Sequence, residues 1–202
     1  MMTHVSSLGV YSEPAGTDRV GTEPGVELDA LYQEHFPFVW RSLRRLGVPE
    51  ASLDDAAQDV FVVVLRRHAD FEGRSSLRSW LFGIAMRVAS DHRRAVRRAK
   101  KRGLMSASKE DVEAVSDVAA PSPQRSAERA EATRLVHAIL ESLDDDKRAL
   151  IVMAELEQMS VPEIAQVLEA NVNTVYSRLR TARAAVEQAA TRLRAQDQWR
   201  QR

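Results

Sequence analysis

The sequence contains no cysteine, and aromatic residues make up only 5% of its 202 residues. Without cysteine there is no disulfide, no thiolate metal site and no cysteine nucleophile. A chain poor in aromatic residues and rich in Ala, Leu, Val and Arg is typical of small helical units rather than of a sheet-rich core. We therefore expect an all-α protein with one or two domains.

Long apolar runs are also missing. No stretch approaches the roughly 18 apolar residues of a membrane span. The N-terminal sequence has no basic region followed by an apolar run of about 7–15 residues, which is the pattern of a secretory signal. We expect a soluble protein that is not exported, and the lack of cysteine is compatible with a reducing cytoplasm.

Charge is sorted along the chain. The 29 lysines and arginines balance 29 aspartates and glutamates, yet seven of the cations lie in RRAVRRAKKR at 93–102. Residues 103–172 hold six cations against fourteen carboxylates, and residues 173–202 hold seven arginines against two carboxylates. Two basic segments separated by an acidic one indicate a protein that contacts nucleic acid at two places.

The N-terminal half divides into a tail and a helical domain. Residues 1–26 are rich in small and polar residues and lack an apolar period, so we expect a disordered tail. Residues 27–102 repeat apolar residues three or four apart in three segments, which predicts three helices. Pro37 is expected to kink or split the first, Ser52 to cap the second, and Leu77 to begin the third.

The composition changes at Gly103. Residues 103–131 contain prolines and carboxylates without a sustained period, which predicts a flexible linker. Helical periodicity returns over residues 132–195. The fold class that we expect is therefore all-α, with two small helical domains joined by a flexible linker.

The second domain contains the most informative pattern. In SVPEIAQVLEANVNTVYSRLR, from Ser160, a serine and Glu163 form a potential capping box before a short helix. A turn follows, and a longer helix begins near Asn173. Its predicted buried seam consists of Val172, Val175, Leu179, Ala182 and Val186. A short helix, a tight turn and a longer helix with polar residues outside describe a helix-turn-helix.

The outward residues of the longer helix suit the major groove of DNA. Asn pairs with adenine, Arg with guanine, and Ser or Thr hydroxyls bind phosphate oxygens. The residues of this reading face are Asn173, Thr174, Ser177, Arg178, Arg180 and Arg183. A helical hairpin with a solvated polar face would give the same pattern, but the local excess of arginine favours DNA.

Five segments, in this order along the chain, resemble the motifs of a known protein family. They are DAAQDVF at 55–61, FEGRSSLRSWLFGIA at 71–85, ASDHRR at 89–94, SVPEIAQVL at 160–168 and NTVYSRLRTAR at 173–183. In these segments the chain resembles the small bacterial sigma factors of the extracytoplasmic-function (ECF) group, which consist of regions two and four only. The resemblance covers about residues 28–103 and 132–190.

The resemblance implies a function in transcription initiation. The first domain would bind core RNA polymerase and would recognise and melt the minus-ten promoter element. The second would read the minus-thirty-five element, and the linker would thread through polymerase channels. The implied partners are the β′ clamp helices, the β subunit and promoter DNA, with an anti-sigma factor as a further one. No cofactor, metal or catalytic residue is implied, so we expect a cytoplasmic protein that is not an enzyme.

The resemblance also assigns residues to these roles. Those for the polymerase clamp helices are Asp55, Gln58, Asp59 and Val62. Those for the minus-ten element are Arg74, Ser75, Ser76, Arg87, Asp91, His92, Arg93 and Arg94. Arg97 is also expected to bind DNA, through phosphate contacts that depend on salt. The reading face defined above would bind the minus-thirty-five element.

Three positions depart from the family pattern. Relatives commonly have Asn where Arg87 stands, Gly where Gln158 stands and Arg where Thr181 stands. The promoter sequence is therefore not transferable from a relative.

Two other classes remain open from the sequence. A DNA-binding regulator that does not act on polymerase explains the helix-turn-helix equally well, but it leaves the first domain unexplained. An enzyme is the more distant reading: Asp54, Asp55 and Asp59 have helical spacing that could hold Mg²⁺. There is no second acidic motif, and the five histidines lack metal-ligand spacing.

Overall fold

The computed structural model describes residues 24–68, 71–73, 75–103 and 123–200. Almost all of these residues are helical, and none of them lies in a strand, which confirms the expected all-α class. Most of the predicted tail and residues 104–122 of the predicted linker lie outside the described residues. Within the described part of the chain, no helix has both the length and the apolar character needed to cross a bilayer.

The first half consists of helices α1 (Pro24–Arg45), α2 (Leu53–Arg67) and α3 (Leu77–Lys101). Helix α1 starts within the predicted tail and continues through Pro37, so this proline does not split it. Gly47 follows the helix with a φ of +84°, a conformation that glycine adopts without steric cost. These three helices pack against one another around buried aliphatic side chains.

Two of these helices start in different ways. A 3₁₀ turn at Glu50–Ser52 precedes α2, and the Ser52 side chain makes no cap hydrogen bond. The expected Ser52 cap is therefore wrong, because the preceding turn already leads the backbone into the helix. Helix α3 is capped as its sequence suggests: the Ser79 amide donates to Ser76 Oγ at 3.1 Å.

The second half contains α4 (Pro123–Ser142), α5 (Asp145–Ile151), α6 (Val161–Val167) and α7 (Val172–Arg200). Helix α4 starts inside the predicted linker, with proline at its first position. Helix α5 continues into a π-helical turn, Val152–Leu156.

The turn between α5 and α6 places Gln158 at a φ of +55°. Glycine adopts this left-handed conformation without strain, which gives a physical reason for the glycine that relatives commonly have there. The Gln158 side chain compensates by donating from Nε2 to the Glu155 carbonyl at 2.7 Å.

Helices α6 and α7 form the predicted helix-turn-helix. Ser160 and Glu163 complete the capping box of α6, with the Ser160 amide 2.8 Å from Glu163 Oε2. The Ala170 amide donates to the Ala165 carbonyl at 2.9 Å and closes the turn. The centre of the predicted seam is buried, but Val172 is 39% exposed, because it stands in the first turn of α7 before the helix meets its neighbours.

One continuous apolar core runs through both halves. It joins residues of α1, α2 and α3 to residues of α4 through α7. Helix α3 packs directly on α6, and a Cβ at Gly83 would lie 3.7 Å from Cγ1 of Val167. The two halves therefore meet along α3, the helix that carries the basic stretch.

Candidate nucleic-acid and protein interfaces

One face of α2 is exposed and carries both polar and apolar side chains. Asp55, Gln58, Asp59 and Val62 are all exposed, as the sequence predicts for a docking surface. They lie three or four residues apart and so share one side of the helix. Leu65 extends this side, with 54% of its surface exposed, against 41% for Val62. Exposed apolar groups that share one side of a helix favour a protein interface at this face.

The start of α3 lies beside a loop whose Arg74 is outside the described residues. Ser75 is half-buried and Ser76 is exposed. The rings of Phe71 and Trp80 lie 5.3 Å apart. Trp80 packs against the core, but its side chain is only partly buried.

Two arginines of the basic stretch 93–102 at the end of α3 pair with one carboxylate of the second half. Arg93 Nη2 lies 2.6 Å from Asp145 Oδ1, and Arg97 Nη1 lies 3.1 Å from Asp145 Oδ2. Burial lowers the pKa of Arg93, and the negative charge of Asp145 partly offsets that effect. Arg87 Nη2 lies 3.0 Å from Glu169 Oε1. The other basic residues of this end are exposed: Arg94, Arg98, Lys100, Lys101 and Arg102.

Three predicted minus-ten residues form local pairs within the first half. His92 Nε2 lies 2.9 Å from Asp59 Oδ2, so α3 is tied to the exposed face of α2. Asp91 and Arg94 form an exposed pair at 3.9 Å. At that distance and exposure the pair contributes little to stability and leaves both side chains available to a ligand.

The reading face of α7 is open to solvent. Asn173, Ser177, Arg178 and Arg180 are exposed, and Thr174 is half-buried. Arg183 is exposed but pairs with Glu155, with Nη2 2.9 Å from Oε1. The Asn173 amide donates to Asn171 Oδ1 at 2.8 Å, which fixes the start of the helix. Five of the six predicted reading-face residues are therefore exposed on α7, and Thr174 is half-buried.

Sequence reasoning missed Tyr176, which is 60% exposed on this same face. It lies three residues after Asn173 and four before Arg180, so helical spacing alone could have identified it. A tyrosine offers a hydroxyl for phosphate and a ring for apolar contact with a thymine methyl group.

Sequence reasoning also missed a buried arginine. Arg148 is 3% exposed and donates to the carbonyls of Leu140 at 2.6 Å, Glu141 at 3.1 Å and Leu143 at 3.3 Å. Its Nη1 donates across to Leu46 of the first half, at 3.2 Å. Burial, followed by the positive charge of Arg93, lowers the pKa of Arg148 to about 10, which leaves it protonated at neutral pH.

The carboxylates of the alternative magnesium site do not converge on one point. Asp54 Oδ1 accepts from Trp40 Nε1 at 3.3 Å, while Asp59 pairs with His92. Across the described ranges, no group of three or more His, Asp or Glu side chains could hold a metal ion.

Comparison with known protein families gives two matches along the chain. The model of Sigma-70 region 2 matches residues 31–99. The model of Sigma-70, region 4, matches residues 133–186.

Comparison with individual proteins gives relatives of the same kind. The RNA polymerase sigma factor NccH of Alcaligenes xylosoxydans xylosoxydans is 35% identical over 155 residues, which cover 76% of this chain and 81% of NccH. The ECF RNA polymerase sigma-E factor of Escherichia coli K12 is 31% identical over 144 residues, or 69% of this chain and 74% of that protein. A solved structure of CnrH in complex with the cytosolic domain of CnrY is 27% identical, with a TM-score of 0.57 over 82% of this chain and 88% of CnrH.

Proposed function

Because this chain belongs to the ECF group of bacterial RNA polymerase sigma factors, we propose that three of its faces divide the work of initiation. As a sigma factor, the chain binds core RNA polymerase and directs it to promoter DNA, where the strands open and transcription starts. What we add is the assignment of each step to particular residues. None of these steps needs a covalent intermediate or a cofactor.

The exposed side of α7 reads the minus-thirty-five element. Asn173 and Arg180 present the groups that pair with adenine and guanine edges in the major groove. Arg178, Ser177 and Tyr176 flank them with donors for phosphate oxygens. The observation that carries this assignment is that these side chains are exposed together on a helix that follows a capped α6 and a tight turn.

The loop and basic side of α3 hold the melted minus-ten element. Unpaired DNA is held by cations that follow its backbone and by aromatic rings beside them. Helix α3 supplies Arg87, Arg93, Arg94 and Arg97, and the neighbouring Phe71–Trp80 pair supplies rings. The exposed cations from Arg98 onward supply contacts to phosphates that depend on salt rather than on sequence.

The mixed face of α2 docks on the clamp helices of the β′ subunit. Val62 and Leu65 give the apolar contact, and Asp55 with Gln58 gives polar contacts that fix orientation. This division resembles the apolar centre and polar rim of protein interfaces.

We assign two further properties by likeness to relatives. An anti-sigma factor is the partner that would restrain this chain, and the support is that CnrH is found in complex with another protein, the cytosolic domain of CnrY. The chain acts in the cytoplasm, where core polymerase is found.

Transcription with core enzyme tests the proposed reading face. Arg178→Ala with Arg180→Ala is expected to reduce promoter-dependent transcripts by at least tenfold, since each lost base or phosphate contact costs about 1–3 kcal/mol. Binding to core polymerase should stay unchanged.

The matched control is Arg192→Ala with Arg194→Ala, which removes two exposed arginines further along the same helix. Equal loss in both double variants would contradict the assignment, because charge alone would then account for it. A chain that binds duplex promoter DNA tightly without core enzyme would instead be a regulator.

A further inference from the structure

Two apolar side chains are exposed at the start of the reading helix. Val172 is 39% exposed in the first turn of α7, and Tyr176 is 60% exposed one turn later. Residues four apart are neighbours on the surface of a helix, so these two side chains lie side by side. The other exposed residues from Asn173 to Arg183 are polar or charged. We call these two neighbours the apolar pair.

The apolar pair borders the side chains that we assign to base edges. At about 3.6 residues per turn, Tyr176 lies within roughly 60° of both Asn173 and Arg180 around the helix axis. A recognition helix contacts base edges mainly through its N-terminal residues, and the pair lies in that part of α7. The docking that brings Asn173 and Arg180 to the bases therefore also brings the ring of Tyr176 into the major groove.

The major groove offers one group that suits an apolar contact. All four bases present hydrogen-bond donors or acceptors there, but among them thymine alone adds a C5 methyl group. Packing this methyl group against Val172 and Tyr176 removes apolar surface of both partners from water, which is favourable. Such a contact distinguishes thymine from the other three bases.

Two polar neighbours of the pair are bound within the chain. Thr181 Oγ1 donates to the Ser177 carbonyl at 3.2 Å, so its hydroxyl proton is used inside the helix. Arg183 Nε donates to Glu155 Oε1 at 2.9 Å. These contacts reduce the number of polar groups that can select a base beside Tyr176, and they leave an apolar contact as the main source of discrimination there.

We infer that the apolar pair, Val172 and Tyr176, selects a thymine in the minus-thirty-five element through its C5 methyl group. This inference rests on the proposed function, because it concerns the same face of α7. The ring of Tyr176 supplies base specificity, while its hydroxyl group supplies the phosphate contact proposed above. Asn173 and Arg180 read the neighbouring bases by hydrogen bonds.

Replacement of thymine by deoxyuridine tests the methyl contact, because uracil lacks the C5 methyl group and keeps the hydrogen-bonding groups of thymine. Promoters are first selected from a library of random sequences with core enzyme and the wild-type chain. Each thymine of the minus-thirty-five element, on either strand, is then changed to deoxyuridine, and promoter-dependent transcripts are measured at limiting protein. One such change is expected to reduce transcripts about fourfold, the effect of losing one buried methyl group.

Variants at position 176 connect this methyl group to the tyrosine ring. Tyr176→Ala should lower the ratio of transcripts from thymine and deoxyuridine templates at that position from about four to about one. Tyr176→Phe keeps the ring and should keep the ratio. Because each ratio is measured within one variant, a general loss of activity does not affect it.

Trp199→Ala is the matched control, since it removes an exposed aromatic side chain near the other end of the same helix. It should leave the ratio as in the wild type. Deoxyuridine as effective as thymine at every position, or the same ratio in Tyr176→Ala and Trp199→Ala, would overturn the inference. Failure of the proposed function would look different, because the library would then yield no promoters beyond those found with core enzyme alone.

Discussion

Asp144 shows how a single side chain starts a helix. Its carboxylate accepts from the Lys147 amide at 2.9 Å and also binds the Lys147 ammonium group. These hydrogen bonds from Lys147 lower the pKa of the Asp144 carboxyl below its usual value. Carboxylates are favoured at this position, because the N-terminal end of a helix carries a partial positive charge.

Asp144→Ala is expected to lower the free energy of unfolding by about 1 kcal/mol near pH 7, the usual contribution of an N-cap. Since the folded pKa is lowered, this stabilisation is present above the unfolded pKa of about 3.9 and is lost as the pH falls through the folded value. Urea unfolding of both proteins should therefore give curves that converge in acid.

Asp146→Ala is the control, because Asp146 lies in the same first turn without capping it. A difference between wild type and Asp144→Ala that persists at the lowest pH would contradict the capping role.

At the scale of single residues, the sequence predicted a structural feature where its physical cause lies within a few neighbouring residues. The Ser160 cap follows from Glu163, three positions later, and was predicted. Ser52 and Val172 were not, because their bonding or exposure depends on the neighbouring elements, whereas the helical spacing of Tyr176 could have identified it.

At the scale of elements, the exposed side of α2 carries an apolar residue that does not follow the helical period of the core. Buried Val60 and Val64 follow the helical period, whereas Val62 lies outside it and is exposed. An apolar residue on the otherwise polar, solvent-facing side of an amphipathic helix is thus the best sequence signal for a docking surface.

Gln58→Ala with Val62→Ala is expected to weaken binding to core polymerase at least tenfold, while thermal unfolding shifts little because both side chains are exposed. Fluorescence anisotropy of the labelled chain with core enzyme measures the affinity. Gln188→Ala, an exposed glutamine of α7, provides the matched control. Unchanged affinity in the double variant would move the docking surface away from α2.

Most elements were predictable because each carries its own period, cap or stop signal. Pro37 is an exception in α1: its ring was expected to kink or split the helix, and the helix continues through it without a split. The early start of α4 was missed because residues from Pro123 onward lack a clear apolar period.

At the scale of the whole molecule, the sorted charge has a structural explanation. Arg87, Arg93 and Arg97 of α3 pair with Asp145 and Glu169 of the second half, so part of the basic charge of this neutral chain is balanced by its own carboxylates. The sequence predicts the acidic surplus, but not which carboxylates contact which arginines, because those contacts join residues at least 48 positions apart. Such long-range contacts leave no local pattern.

The central claim is that this chain gives core polymerase a promoter preference through two separate DNA-reading faces. Run-off transcription from a library of random promoter sequences, with core enzyme and the purified chain, tests it most directly. We predict that the transcribed templates share two short elements at a fixed spacing, and that Arg178→Ala with Arg180→Ala relaxes only the upstream one. Start sites distributed as they are with core enzyme alone would contradict the claim.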